Sequence, residues 1–186
     1  MSTGQNWQDQ CAAQVRVLRI IVTAITLGPL VYLGVVLFAL PPGGGAAGVG
    51  QLSFTYLACG MAVVSVAAWA IAPSVVARKL RRQIAAGTWP PPGQNETSLA
   101  APSSDAGKLC AVYQVRTIIA IAILEGAAFF LVFAYQQHRD PWALGVAVLL
   151  MVMIAAHLPT RARVAEWVER QLLGLEEDRQ LEQFRR

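Results

Sequence analysis

Val115–Tyr135 reads VRTIIAIAILEGAAFFLVFAY, and this stretch decides the fold. Beyond Arg116 at its start, its only charge is Glu125, in the middle of an apolar run long enough to cross a bilayer. A hydrocarbon core of about 30 Å takes about 20 helical residues. An ionised carboxylate at mid-depth costs about 2.5–3.5 kcal/mol even on the lenient insertion scale, so it requires a partner, a proton or a purpose.

Outward from this stretch, the apolar residues gather in four blocks: Val17–Leu40, Leu52–Ala72, Val112–Tyr135 and Trp142–Leu158. Each is within the length of a membrane span, the last so short that it would stand nearly upright. The 186 residues are 55% apolar and only 14% charged, with mean hydropathy +0.47. Soluble domains carry about 25% charged residues, so much of this chain does not meet water. Lipid offers the backbone no hydrogen-bond partners, which makes each block helical. The expected fold is an all-α membrane protein with four transmembrane helices.

The basic residues give an orientation. Arg16 and Arg19 lie at the first block's start, and Arg78, Lys79, Arg81, Arg82, Lys108 and Arg116 lie between the second block and the start of the third span. Arg161, Arg163, Arg170, Arg179, Arg185 and Arg186 follow the fourth block, leaving Arg139 alone on the other side. This bias puts both termini and the middle loop in the cytoplasm. The excess of basic residues (net charge +4; pI about 9.3) then needs no nucleic acid; anionic lipid beside basic flanks accounts for it. Tyr113, Tyr135, Tyr56 and Trp142 stand at the expected membrane–water interfaces. The first block exceeds the apolar core of a signal peptide and leads into Leu40-Pro41-Pro42, so it is expected to remain as a span.

The chain also reads as one hairpin written twice, a parallel repeat. Ile20-Ile21 aligns with Ile118-Ile119, Ala24 with Ala122, Gly28 with Gly126 and Leu33 with Leu131, a constant shift of 98 residues. A proline and a charged segment follow each second span, at Pro73–Ile84 and Pro159–Leu172. The expected organisation is a first hairpin with its extension over 1–86, a flexible cytoplasmic linker over 87–107, a second hairpin over 108–159 and a tail over 160–186. The linker holds Pro90-Pro91-Pro92, Ser103-Ser104 and a chance Asn95-Glu96-Thr97 sequon, and Ser104 or Asp105 can cap the helix that follows. Pro41-Pro42-Gly43-Gly44-Gly45 begins a short outer loop and is no phosphate cradle, since a membrane span follows it. In the tail, Val164, Trp167, Val168, Gln171, Leu172 and Leu175 share one helical face, predicting a cytoplasmic amphipathic helix. Glu166–Arg170 and Glu182–Arg186 have the favourable i,i+4 order.

Glu125 is the candidate proton or cation site, with Thr26 and Ser65 at a similar depth as hydrogen-bonding neighbours. Its helix face includes Ile118, Ala122, Ala128, Phe129 and Val132, and Gly126 is adjacent. Ala24, Gly28, Ala122 and Gly126 form two small-xxx-small spacings, which permit close helix packing and turn Glu125 toward another helix. Two readings follow. A neutral, protonated Glu125 can hydrogen-bond across helices and fix the packing, or it can exchange a proton or cation.

Other chemistry has little support. Cys11, Cys59 and Cys110 have no metal spacing and an odd count, and the cytoplasmic placement of the first and last predicts free thiols. His157 is expected to hydrogen-bond near the cytoplasmic interface, and His138 to be solvated in the turn Gln136–Pro141. No nucleophile is paired with a base, and no metal or other cofactor is implied. The expectation is a non-enzymatic, self-associating protein or a subunit of a membrane complex, with a conduit at Glu125 as the alternative.

Arg116–Phe130, with the Leu158-Pro159-Thr160-Arg161-Ala162-Arg163-Val164 continuation, resembles an uncharacterised family of bacterial four-span membrane proteins. That resemblance implies a bacterial plasma (inner) membrane location and no particular activity. Leu18–Phe38 matches more loosely. Glu125 opposite Leu27 in the repeat also resembles the rotor proteolipids of proton-pumping ATPases, duplicated hairpins that keep one mid-membrane acid. Here, however, the acid lies on the first helix of its hairpin, and the rotor's glycine-rich packing helix and polar loop are missing. Small multidrug exporters are similar in having four helices and one membrane glutamate.

Overall fold

The computed structural model describes residues 3–39, 49–89 and 104–185, which are all-helical apart from short turns and breaks between helices. The helices are α1 (Thr3–Phe38), α2 (Val49–Ala85), α3 (Asp105–His138), α4 (Pro141–Ala156) and α5 (Arg161–Arg185). The outer loop from Pro41, the Pro90-Pro91-Pro92 stretch, the sequon and the Glu182–Arg186 side-chain pair lie outside the described residues.

Three helices contain stretches long and apolar enough to cross a membrane, within Cys11–Phe38, Phe54–Ala85 and Asp105–His138. A fourth crossing exists only if α4 and α5 count as one broken span. The 16 residues of α4 rise about 24 Å, short of the hydrocarbon core. Asp140 caps its start, Oδ1 accepting from the Trp142 N–H at 3.0 Å. His157 ends it, its N–H donating to the Ile154 carbonyl at 3.0 Å. The next helix starts afresh at Thr160, whose hydroxyl accepts from the Arg163 N–H at 3.4 Å. Pro159 therefore sits in a true break. The proline expected to match it, Pro73, lies inside an unbroken α2 of 37 residues.

By Cα proximity the chain forms two units, each assembled from separated segments. The first contains Met1–Arg19, Pro73–Thr117 and Pro159–Arg186. Its core gathers Cys11 and Val15 from α1, Ile84 from α2, Leu109, Cys110 and Val112 from α3, and Val164, Val168 and Leu175 from α5. Charged pairs surround this core: Arg81 Nε lies 2.9 Å from Asp178, and Arg179 Nη2 donates to Asp105 at 2.8 Å. Gly174 allows the first pair, because a Cβ there would stand 2.7 Å from Arg81 Nη1. Two segments read as linker prove locally specified. Ser104 caps α3, its hydroxyl accepting from the Gly107 N–H at 3.1 Å, an arrangement that contributes about 1 kcal/mol. The α2 helix closes on Gly87 at φ 71°, with Thr88 N–H donating to the Gln83 carbonyl and Gly87 N–H to Ile84, at 3.0 and 3.1 Å. This is the left-handed closure that glycine permits.

The three cysteines are not all free. Cys11 and Cys110 form a disulfide with Cα atoms 5.9 Å apart, and Cys59 alone remains a thiol. Composition and compartment gave no hint of the pair, which depends on α1 and α3 meeting in a particular register.

The second unit contains Ile20–Ala72 and Ile118–Leu158. Half of the apolar window in α3 is buried, against 17% in α1 and 11% in α2. The α3 helix is therefore the inner one, and Ile20, Val31, Tyr56, Val63 and Val64 are exposed large apolar groups of the kind lipid covers.

Candidate functional site

Within the second unit, α1 and α3 run parallel. Gly28 meets Glu125 and Phe129, the Tyr32 ring lies 5.8 Å from that of Phe129, and Arg139 Nη2 donates to the Val36 carbonyl at 3.4 Å. Positions four apart on α1 thus meet positions one helical turn or more apart on α3, as side chains along two helix stripes must. The Tyr32 hydroxyl donates to Gln136 Oε1 at 2.6 Å, tying the end of the seam nearest the α3 C-terminus with a polar contact.

Glu125 occupies the tightest part of this seam. A Cβ on Gly28 would stand 3.1 Å from Phe129 Cζ and 3.3 Å from Glu125 Oε1. The carboxyl and the ring, one turn apart on α3, clasp the bare Cα of a glycine. A Cβ at position 28 would require the ring and the carboxyl to yield by a few tenths of an ångström, and a longer side chain by more. Pro29 follows immediately inside α1. A proline in a helix removes the donor to the carbonyl four residues back, here Ile25.

The other sequence-predicted residues stand differently. The Thr26 hydroxyl donates to the Val22 carbonyl of its own helix at 2.7 Å. Ser65 is half-buried. Among the described residues neither donates to Glu125, which itself accepts no hydrogen bond and forms no ion pair. Ala24, Ala122 and Gly126, expected at close helix contacts, are exposed in the single chain. Gly126 has nothing within 4 Å of where its Cβ would be. The reason is rotational: one residue along a helix is about 100° around it, so with Glu125 turned to α1, Gly126 faces away. Leu27, which the 98-residue shift would align with residue 125, is exposed too.

His138 is half-buried. It ends α3, its ring lies 5.6 Å from Phe54, and its Nδ1 is buried without a partner among the described residues. The turn expected over Gln136–Pro141 shrinks to Arg139 and Asp140, with Arg139 at φ 52°. His157 Nδ1 lies 2.7 Å from the Met153 carbonyl, and its ring meets the edge of Trp69 at 5.1 Å. Sequence reasoning missed the Tyr32–Gln136 bond and the Phe54 cluster with Phe130. Neither has a signal in spacing. Among the described residues no three His, Cys, Asp or Glu gather as metal ligands.

Comparison with family models, with curated proteins and with solved structures gives no match.

Proposed function

We propose that the chain is a non-enzymatic integral membrane protein with a structural or assembly role, in which Glu125 acts as a packing residue. The observation that carries this reading is the seat of the carboxyl, 3.3 Å from the position a Gly28 Cβ would take. Pro29 leaves the Ile25 carbonyl, one turn back on α1, without its helical partner, and a protonated Glu125 seated on Gly28 would bring a donor to that turn, the kind of rescue that lets proline stand in a membrane helix. Two tandem hairpins from a duplication fit this plan. Cys11 pairs with Cys110, and Gly28 meets residues 125 and 129, separations close to the 98-residue repeat shift. Both termini are assigned to the cytoplasm of a bacterial plasma membrane, from the basic bias and the family resemblance.

The exposed Ala122, Gly126 and Phe133 on α3 are the surface for self-association or for a partner subunit. Cross-linking in native membranes should yield a dimer or larger species that Gly126→Leu diminishes. Unchanged cross-linking in that variant would remove this surface from the proposal.

A second reading has its own observation. Glu125 is only half-buried and neither donates nor accepts a hydrogen bond among the described residues, so its proton is not committed to a partner that it would have to leave. This fits a proton- or cation-coupled conduit, with Thr26 and Ser65 as its neighbours. The two readings part at Glu125→Gln, which keeps the shape and the donor but abolishes titration. For the packing role, Gln is as stable as wild type, Glu125→Leu loses about 0.6–1.7 kcal/mol, and proton flux in proteoliposomes is the same in wild type and Gln. Flux that disappears in the Gln variant would replace the packing role by the conduit.

A further inference from the structure

The α2 helix carries a basic groove that neither reading uses. Val75, Arg78, Lys79, Arg82, Gln83 and Thr88 line a cavity of about 570 Å³ in the first unit. Their three- and four-residue spacing puts the helical members on one side of α2. Arg78, Lys79 and Arg82 are exposed, and among the described residues none of them pairs with an acid. Arg81, in the same turn, is different: it is held by Asp178 and by Gln171 Oε1 at 3.2 Å. The fold thus neutralises one cation of the cluster and leaves three together, and like charges at this spacing repel. An anion in the groove relieves that repulsion. Val75, an exposed apolar wall at the membrane-proximal end of the cluster, offers contact to a hydrocarbon chain as well. The cations also lie toward the end of a helix whose Phe54–Ala85 segment is a candidate span, the depth at which headgroup phosphates stand.

We propose that this groove binds the phosphate of an anionic phospholipid headgroup. The inference rests on the membrane embedding proposed above, but not on the role of Glu125. Each cation near a charged bilayer surface adds to the attraction, and together the three should account for a preference of about 10-fold or more for anionic over zwitterionic lipid. The full-length protein is reconstituted in a mixture of phosphatidylglycerol and phosphatidylcholine, extracted, and its retained lipids are counted by native mass spectrometry. Wild type is expected to keep phosphatidylglycerol selectively. Arg78→Gln/Lys79→Gln/Arg82→Gln should lose the preference, and Arg161→Gln/Arg170→Gln, which removes two exposed cations from α5, should retain it. Millimolar inorganic phosphate should not displace the lipid.

Equal selectivity in the triple variant, or equal loss in the α5 variant, would overturn the site. Displacement by inorganic phosphate would overturn the lipid assignment in favour of a soluble anion. Fractionation of the wild-type protein is scored separately: recovery with the soluble fraction refutes the embedding itself, whereas membrane recovery without lipid selectivity refutes only the groove.

Discussion

Replacing both Cys11 and Cys110 by serine is expected to lower the stability of the folded protein by about 2–5 kcal/mol, the largest loss from any change considered for this chain. The two residues are 99 apart in sequence, so the bond closes a long loop and greatly restricts the unfolded chain. In the chain-entropy view a loop of about 100 residues contributes about 4.7 kcal/mol, reduced by whatever strain the native bond holds. Both half-cystines lie in the core of the first unit, 7% and 3% exposed. Serine at either place buries a hydroxyl among Val15, Leu109 and Val112, which adds to the loss. The measurement is thermal unfolding in detergent with and without reductant, alongside gel mobility of the denatured protein under reducing and non-reducing conditions. In the orientation proposed above both residues face the cytoplasm, where small thiols favour reduction. Burial shields the bond from attack, so reductant should cut it readily only after unfolding. Equal stability in the double serine variant, with no reductant-dependent mobility in wild type, would show that the cysteines are not joined.

Gly28→Leu is the second large effect. The substitution introduces four carbon atoms where even the first would stand 3.1 Å from Phe129 Cζ and 3.3 Å from Glu125 Oε1. Overpacking of this kind costs about 1–3 kcal/mol, and here it also forces a carboxyl to find another place in an apolar surrounding. Gly28→Ala should be much milder, since Phe129 and Glu125 need yield only a few tenths of an ångström. A graded series, wild type above Ala above Leu in melting temperature, is the expected outcome. Gly126→Leu provides the comparison, because nothing stands within 4 Å of its Cβ position. In a dispersed monomer it should change stability little. If Leu at 28 and Leu at 126 behave alike, the α1–α3 seam is not the close contact described.

The helices were legible because apolar composition and bilayer thickness constrain them together. Their limits were not. The α1 helix begins at Thr3, and α2 continues through Pro73 to Ala85, because polar flanks can stay helical wherever they find a core to cover. That core was the hardest feature to read. Cys11, Ile84, Leu109 and Val168 come from four helices separated by long apolar stretches, and no local period reports their meeting. In α5, Val164, Val168 and Leu175 are buried, and nothing in their spacing named the helices they would meet. At the site, Glu125 and Gly28 were both visible as unusual residues, one for its charge and the other for its place in the repeat. What spacing could not supply was the rotation of α3 about its axis. That single angle puts Glu125 on Gly28 and leaves Gly126 bare.

The unequal burial of the spans has a consequence for the order of assembly. The first two apolar helices emerge from the ribosome before the third and, with little of their surface buried, can each enter lipid unassisted. The third carries the acid and has half of its apolar window buried. By the time α3 leaves the insertion machinery, α1 is already in the bilayer, with the bare Cα of Gly28 on its flank. The seam is then completed by a late-arriving helix against a prepared one. Placing α3 and α4 ahead of α1 and α2 in the gene would require Glu125 to enter the membrane before its seat existed.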